Sequence, residues 1–221
     1  MKLRCSKNYS AAMTLFEVGV IIAIVMLLAV FLLPILLNSN SYTRAPRINC
    51  VNNLKQIGLA YRIWEGDNGD IYPMGISVTN GGSMERVANG DVLQTFLCMS
   101  NELSTPRILY CPADASRSVA MSFNVPISNR NISYFVGVDV TNDANPQMII
   151  SGDCNFEIHG ASVKSGLQKF WTNTPVAWDA TRHVHAGNIG LADGSVQQVT
   201  INGLQTALQN TGWKTNRFAI P

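Results

Sequence analysis

The sequence predicts an α+β fold in which a long helical stretch precedes a run of consecutive strands that form a mostly antiparallel sheet. Three observations predict it. Met13 to Leu37 is almost wholly apolar, and about Arg47 to Glu65 repeats apolar residues every three or four positions. Short apolar or alternating runs then follow, ending in an Asp-Gly pair between two apolar segments. With 221 residues, 47% of them hydrophobic and only 14% charged, the chain holds one apolar segment and one domain large enough for its own core.

The net charge of +2 comes from the N-terminus, where Lys2, Arg4 and Lys7 precede the apolar run. Beyond residue 12 the chain carries 13 basic against 14 acidic groups. No basic stripe offers to neutralise phosphates, so nucleic acid is not an expected partner.

From Val18 to Leu37 there are 20 successive uncharged residues, which as a helix rising about 1.5 Å per residue would cross a hydrocarbon core of roughly 30 Å. The basic residues upstream predict a cytoplasmic N-terminus and a periplasmic remainder, hence an inner-membrane, single-pass protein. Glu17 stands one residue before that run. A desolvated carboxylate gains an ordinary anchor nothing, whereas near a helix start it is favoured by the local dipole and can pair with an amine in a helix bundle. Pro34 removes an amide hydrogen deep in the run and loosens the helix there. The polar stretch 38–46 interrupts it, with Pro46 disfavouring helix at Ala45.

The second helix shows Ile48, Val51, Leu54, Ile57 or Gly58, Tyr61 and Trp64 on one face, a stripe suited to packing across a sheet. Gly66-Asp67-Asn68-Gly69-Asp70 ends it. Its clustered oxygens at Asp67 and Asp70 admit calcium or plain turn chemistry; the spacing is not that of an EF-hand. Gly81-Gly82 marks a turn and 90–99 holds a short helix. The runs 107–111, 119–123, 132–140 and 147–152 read as strands, and 155–182 as an exposed insertion packed down by Trp171 and Trp178. Residues 187–201 form a hairpin around Asp193-Gly194, closed by a helix near 204–209.

Ala12-Met13-Thr14-Leu15-Phe16-Glu17, followed by an uncharged helix containing Pro34, resembles the N-terminal signature of type IV prepilins and type II secretion pseudopilins. The resemblance implies a peptidase cut between Ala12 and Met13, methylation of Met13, and assembly of the helix with other pilin-like subunits through Glu17 and Pro34. That family usually has glycine before the cut and phenylalanine after it, from which alanine and methionine depart. Cys50-Val51-Asn52-Asn53-Leu54-Lys55-Gln56, the aspartates before Tyr72-Pro73, Cys111-Pro112, and His183 ten residues before Asp193-Gly194 resemble a prepilin-like group with an H-x9-DG motif. Implied is a pilin-like division into a leader (1–12), a transmembrane helix (13–37), its periplasmic continuation (38–66) and a globular head (67–221). Prepilin peptidase and the inner membrane are the implied partners; neither cofactor nor enzymatic activity is implied.

Cys50, Cys98, Cys111 and Cys154 fall on the periplasmic side, where disulfides form; four cysteines allow three complete pairings, and buried thiols are the alternative. His183 and His185, with Asp193 and with Asp153 or His159, form a candidate metal or catalytic set for a membrane-anchored enzyme or ligand-binding domain. The structural alternative has His183 supporting the loop beneath the hairpin while Asp193 makes the turn. No HExxH, GxSxG, CxxC or P-loop pattern occurs.

Overall fold

The protein is described by a computed structural model covering the backbone of residues 14–37 and 41–221 and the side chains of residues 14–31 and 46–221. The leader, the expected cleavage position Ala12-Met13 and the interruption at 38–40 lie outside the described residues, as does the side chain of Pro34. Two compact units separate at Tyr42 and Thr43.

In the first unit, helix α1 spans Leu15–Leu37. Thr14 precedes it and begins a reciprocal cap. The Glu17 amide donates to Thr14 Oγ1 at 3.3 Å, while a Glu17 carboxylate oxygen accepts from the Thr14 amide at 2.8 Å and hydroxyl at 3.0 Å. Glu17 is therefore not an uncompensated acid: its first partner is its own helix start. The signal, Thr-x-x-Glu before an apolar run, stands in the sequence. Side chains from Val18 to Phe31 are apolar on every side of the helix and mostly exposed. Among the described residues no helix is long and apolar enough to cross a membrane; the stretch of α1 with described side chains rises roughly 26 Å.

The second unit begins with helix α2, Ser41–Asp67, which carries Pro46 inside it. The helix expected from Arg47 thus starts two turns earlier, and proline costs one backbone hydrogen bond without ending it. The buried stripe is Cys50, Leu54, Ile57, Tyr61 and Trp64, with Ile48 exposed. Leu54, Ile57, Tyr61 and Trp64 are the residues expected on that face, and at its N-terminal end Cys50 takes the buried place instead of Ile48. Three short helices follow, α3 Met84–Ala88, α4 Val92–Cys98 and α5 Ser100–Leu103.

The head is built on a six-stranded antiparallel sheet in the order β5 (Gly166–Trp171), β9 (Thr215–Ile220), β1 (Tyr134–Gly137), β2 (Ile149–Asp153), β7 (Ala186–Leu191) and β8 (Val196–Thr200). Strands β3 (Phe156–Ile158), β4 (Ala161–Ser162) and β6 (Val176–Trp178) form a second, three-stranded sheet. The fold is α+β with antiparallel sheets, as the order of elements predicts. Alternation along the strands feeds two cores. Tyr134, Val136 and Ile150 join the α2 stripe, whereas Phe135, Ile149 and Phe218 join Phe156, Trp178 and helix α6, Ile201–Asn210.

Three expectations are corrected. The 107–111 run is a 3-10 turn over Pro106–Leu109, because Thr105 caps it and Pro106 occupies its first position. Residues 119–123 form no strand: Val119 and Met121 stay exposed rather than packing on the sheet. The 155–182 segment is not an insertion: β5 pairs along its length with β9, and Trp178 is fully buried, although Trp171 is exposed.

Trp178 lies flat over Gly187, where an added Cβ would meet three ring atoms at 2.7 Å. Gly187→Ala therefore overpacks the second core. The expected cost is about 1–3 kcal/mol, read as a lowered urea midpoint with an unchanged slope.

Candidate functional site

Five distant segments converge on a buried polar cluster at the end of β2. Asp153 is the last residue of that strand and fully buried. Its Oδ2 accepts from the Asn188 amide at 2.7 Å and side chain at 2.8 Å, while Oδ1 has no hydrogen-bond partner. Beside it, Arg182 donates to Ser133 O at 2.8 Å and pairs with Asp114, whose Oδ2 also accepts from Ser133 Oγ at 2.8 Å.

His183 Nε2 lies 3.5 Å from Asp153 Oδ2 and 3.6 Å from Cys111 Sγ. Cys111 is joined to Cys50 of α2 by a disulfide, and Cys98 and Cys154 are free. One pairing of the possible set is thus formed. Cys154 Sγ accepts from Arg182 at 3.5 Å, and Cys98 Sγ donates to Gly82 O at 3.2 Å.

The backbone that presents His183 is costly. His183, Val184 and His185 have φ of 51°, 53° and 53°, the left-handed region that disfavours side chains and above all branched ones. Tethers on each side hold it: Arg182 to Ser133 and Asp114, Arg47 to His183 O, and His185 Nδ1 against Trp178 O at 3.2 Å. Such stored strain is characteristic of sites that must aim one side chain.

Burial pushes the Asp153 carboxyl up to about 6, offset in part by Arg182 and the two Asn188 hydrogen bonds. Burial, reinforced by the Arg47 and Arg182 cations, pushes His183 down to about 4. The close contact is therefore no ion pair near neutral pH, because the imidazole is uncharged. On acidification it is the carboxyl, at about 6, and not the imidazole that takes up the first proton.

Of the predicted residues, the structure brings together His183, Asp153, Cys111 and Cys50. It does not bring in Asp193, His185 or His159. Asp193 and Gly194 make the β7–β8 turn, with Asp193 Oδ1 accepting from the Ser195 amide at 2.8 Å and Gly194 at φ 82°. That turn packs on α2, where a Cβ at Gly58 would stand 3.6 Å from Gly194 Cα. His159 is exposed. Asp67 and Asp70 sit in an exposed turn, and the cluster of three potential metal ligands among the described residues is Cys50, Cys111 and His183 instead. Sequence reasoning missed Arg47, Asp114 and Arg182, each of which adjoins a residue it named or lies within one turn of one.

A cleft of about 480 Å³ opens beside the cluster, lined by Asp114, Arg117, Cys154, Asn155, Asp179 and Arg182 among others. Asn155 is buried, and its Oδ1 lacks a partner. Comparison with protein-family models, curated proteins and solved structures returns no match.

The two shifted groups drive stability in opposite directions. Asp153 binds its proton more tightly folded than unfolded, so its contribution falls as pH rises from about 4 to about 6. His183 refuses folded the proton it accepts unfolded, so its contribution falls as pH drops from about 6.5 to about 4. We expect the slopes to cancel in the parent protein. Asp153→Asn should expose the His183 loss on acidification and His183→Gln the Asp153 loss on alkalinisation, each on the order of 2 kcal/mol across its window. Urea midpoints from pH 4 to 7 measure both.

Proposed function

We propose that the chain is a pseudopilin or pilin-like subunit, a non-enzymatic protein trimmed by prepilin peptidase and assembled through its N-terminal helix into a type II secretion pseudopilus or type IV pilus-like filament. The observation that carries this reading is α1: apolar on every face, with no polar side to give to water. A helix of that kind is covered by lipid or by other helices. The α1 backbone of 23 residues rises about 34 Å, and its sequence stays apolar through Leu37. In this reading it anchors the subunit in the inner membrane before assembly and lies in a helix bundle afterwards.

Glu17 acquires two separable roles. It caps its own helix, and its charge is available to the amine of a neighbouring Met13. A periplasmic head is supported by the Cys50–Cys111 disulfide, a bond of oxidising compartments.

A membrane-anchored ligand-binding or enzymatic head is the second reading. It is favoured by the cleft beside Asn155 and Arg182 rather than by His183, His185 and Asp193 acting as one set. The mass of the mature N-terminus separates the two: methylated Met13 is expected for the pilin-like subunit, and intact Met1 overturns it.

Glu17→Gln keeps an oxygen for the cap and removes the charge. We expect it to leave membrane insertion intact and impair incorporation into filaments nearly as much as Glu17→Ala, scored by fractionation and shear release. A filament-competent Glu17→Gln beside a defective Glu17→Ala would reduce Glu17 to its capping role.

A further inference from the structure

We propose that Cys50, Cys111 and His183 form a redox-gated site for a divalent cation of the zinc class. Oxidised, the two sulfurs are bonded to each other; reduced, both thiolates and the imidazole bind the ion. Their ligand atoms lie within 4.8 Å of one another, and all three residues are buried.

The spacing fits the ion. With Zn–S near 2.3 Å and Zn–N near 2.0–2.1 Å, sulfur and nitrogen stand about 3.6 Å apart across a tetrahedral zinc, and Cys111 Sγ and His183 Nε2 are 3.6 Å apart. Two thiolates on such an ion stand roughly 3.8 Å apart, against about 2.05 Å in a disulfide. Breaking the S–S bond lets the sulfurs part by roughly 1.7 Å, with Cys111 Sγ already at the zinc-site distance from His183 Nε2 and Cys50 Sγ within 4.8 Å of it.

Two features around the site bear on metal binding. Asp153, with Oδ2 at 3.5 Å from His183 Nε2 and Oδ1 without a partner, adds a buried carboxylate beside the three ligands without joining their set. The left-handed turn at His183–His185 fixes the nitrogen in advance of the ion.

The chemistry balances. A dithiol reductant attacks one sulfur, and its second thiol resolves the mixed disulfide, leaving two cysteine thiols and a cyclic disulfide. Metal binding then releases the two thiol protons.

The test uses the full chain in detergent micelles, reduced with dithiothreitol, desalted without oxygen and titrated with cobalt(II). We expect one equivalent to bind with the intense visible bands of tetrahedral thiolate coordination and to be displaced by zinc, and the oxidised chain to give no such bands. His183→Gln should weaken cobalt binding at least tenfold, while Cys98→Ser with Cys154→Ser leaves it unchanged. Far-UV circular dichroism is recorded on every sample. A reduced parent that keeps its native spectrum yet binds no cobalt overturns the proposal. So does a His183→Gln chain that binds as tightly as the parent, or a reduced chain that loses its native spectrum and does not recover it on adding zinc.

Discussion

The covalent bond between Cys50 and Cys111 is the constraint on which the head depends. It fastens α2 to the loop that carries Asp114, and through Asp114 to Arg182 and Ser133 of the sheet. A cross-link closing 61 residues of sequence removes about 4 kcal/mol of freedom from the unfolded chain in the chain-entropy account. The α2 stripe then lies against one sheet face with its register already chosen. Cys50 extends the buried stripe that periodicity selects at Leu54, Ile57, Tyr61 and Trp64 toward the helix start, in place of Ile48.

Around the bond the chain tolerates what a plain core would exclude: a buried carboxylate, a buried guanidinium and three successive residues in a left-handed turn. Each is unfavourable alone. Together they are largely satisfied, but Asp153 Oδ1, Asn188 Oδ1 and Arg47 Nε lack partners, and an incomplete network of this kind marks a place where something beyond stability is at stake.

Much of the architecture was legible. Two helices, the β1 and β2 runs, the Asp-Gly hairpin and the closing helix all carry periodic or turn chemistry that survives into the structure. What failed did so where local signals are thin. Strand β5 is only partly apolar and is created by its partner β9, itself unread because Thr215–Ile220 mixes Asn216 and Arg217 with apolar residues. The 107–111 run was apolar because Ile108 and Leu109 are core, and apolarity does not distinguish a strand from a turn. At the site, His183 and Asp153 could be named as candidates, but Arg47 and Asp114 could not: their meaning lies in contacts to residues far along the chain. Glu17 stands out in the sequence as an acid before an apolar run, and its cap partner Thr14, three residues away, is legible there as well.

The ten-residue interval between His183 and Asp193 takes on a mechanical sense. At one end the histidine is seated by Arg47 and the Cys111 sulfur; at the other the glycine turn rests on Gly58, where an added Cβ would come into contact with Gly194. Cys50 and Gly58 are separated by roughly two turns of the same helix. The motif is thus a caliper whose jaws close on one shaft, and adding or deleting a single residue between them would unseat one jaw while the other stayed closed.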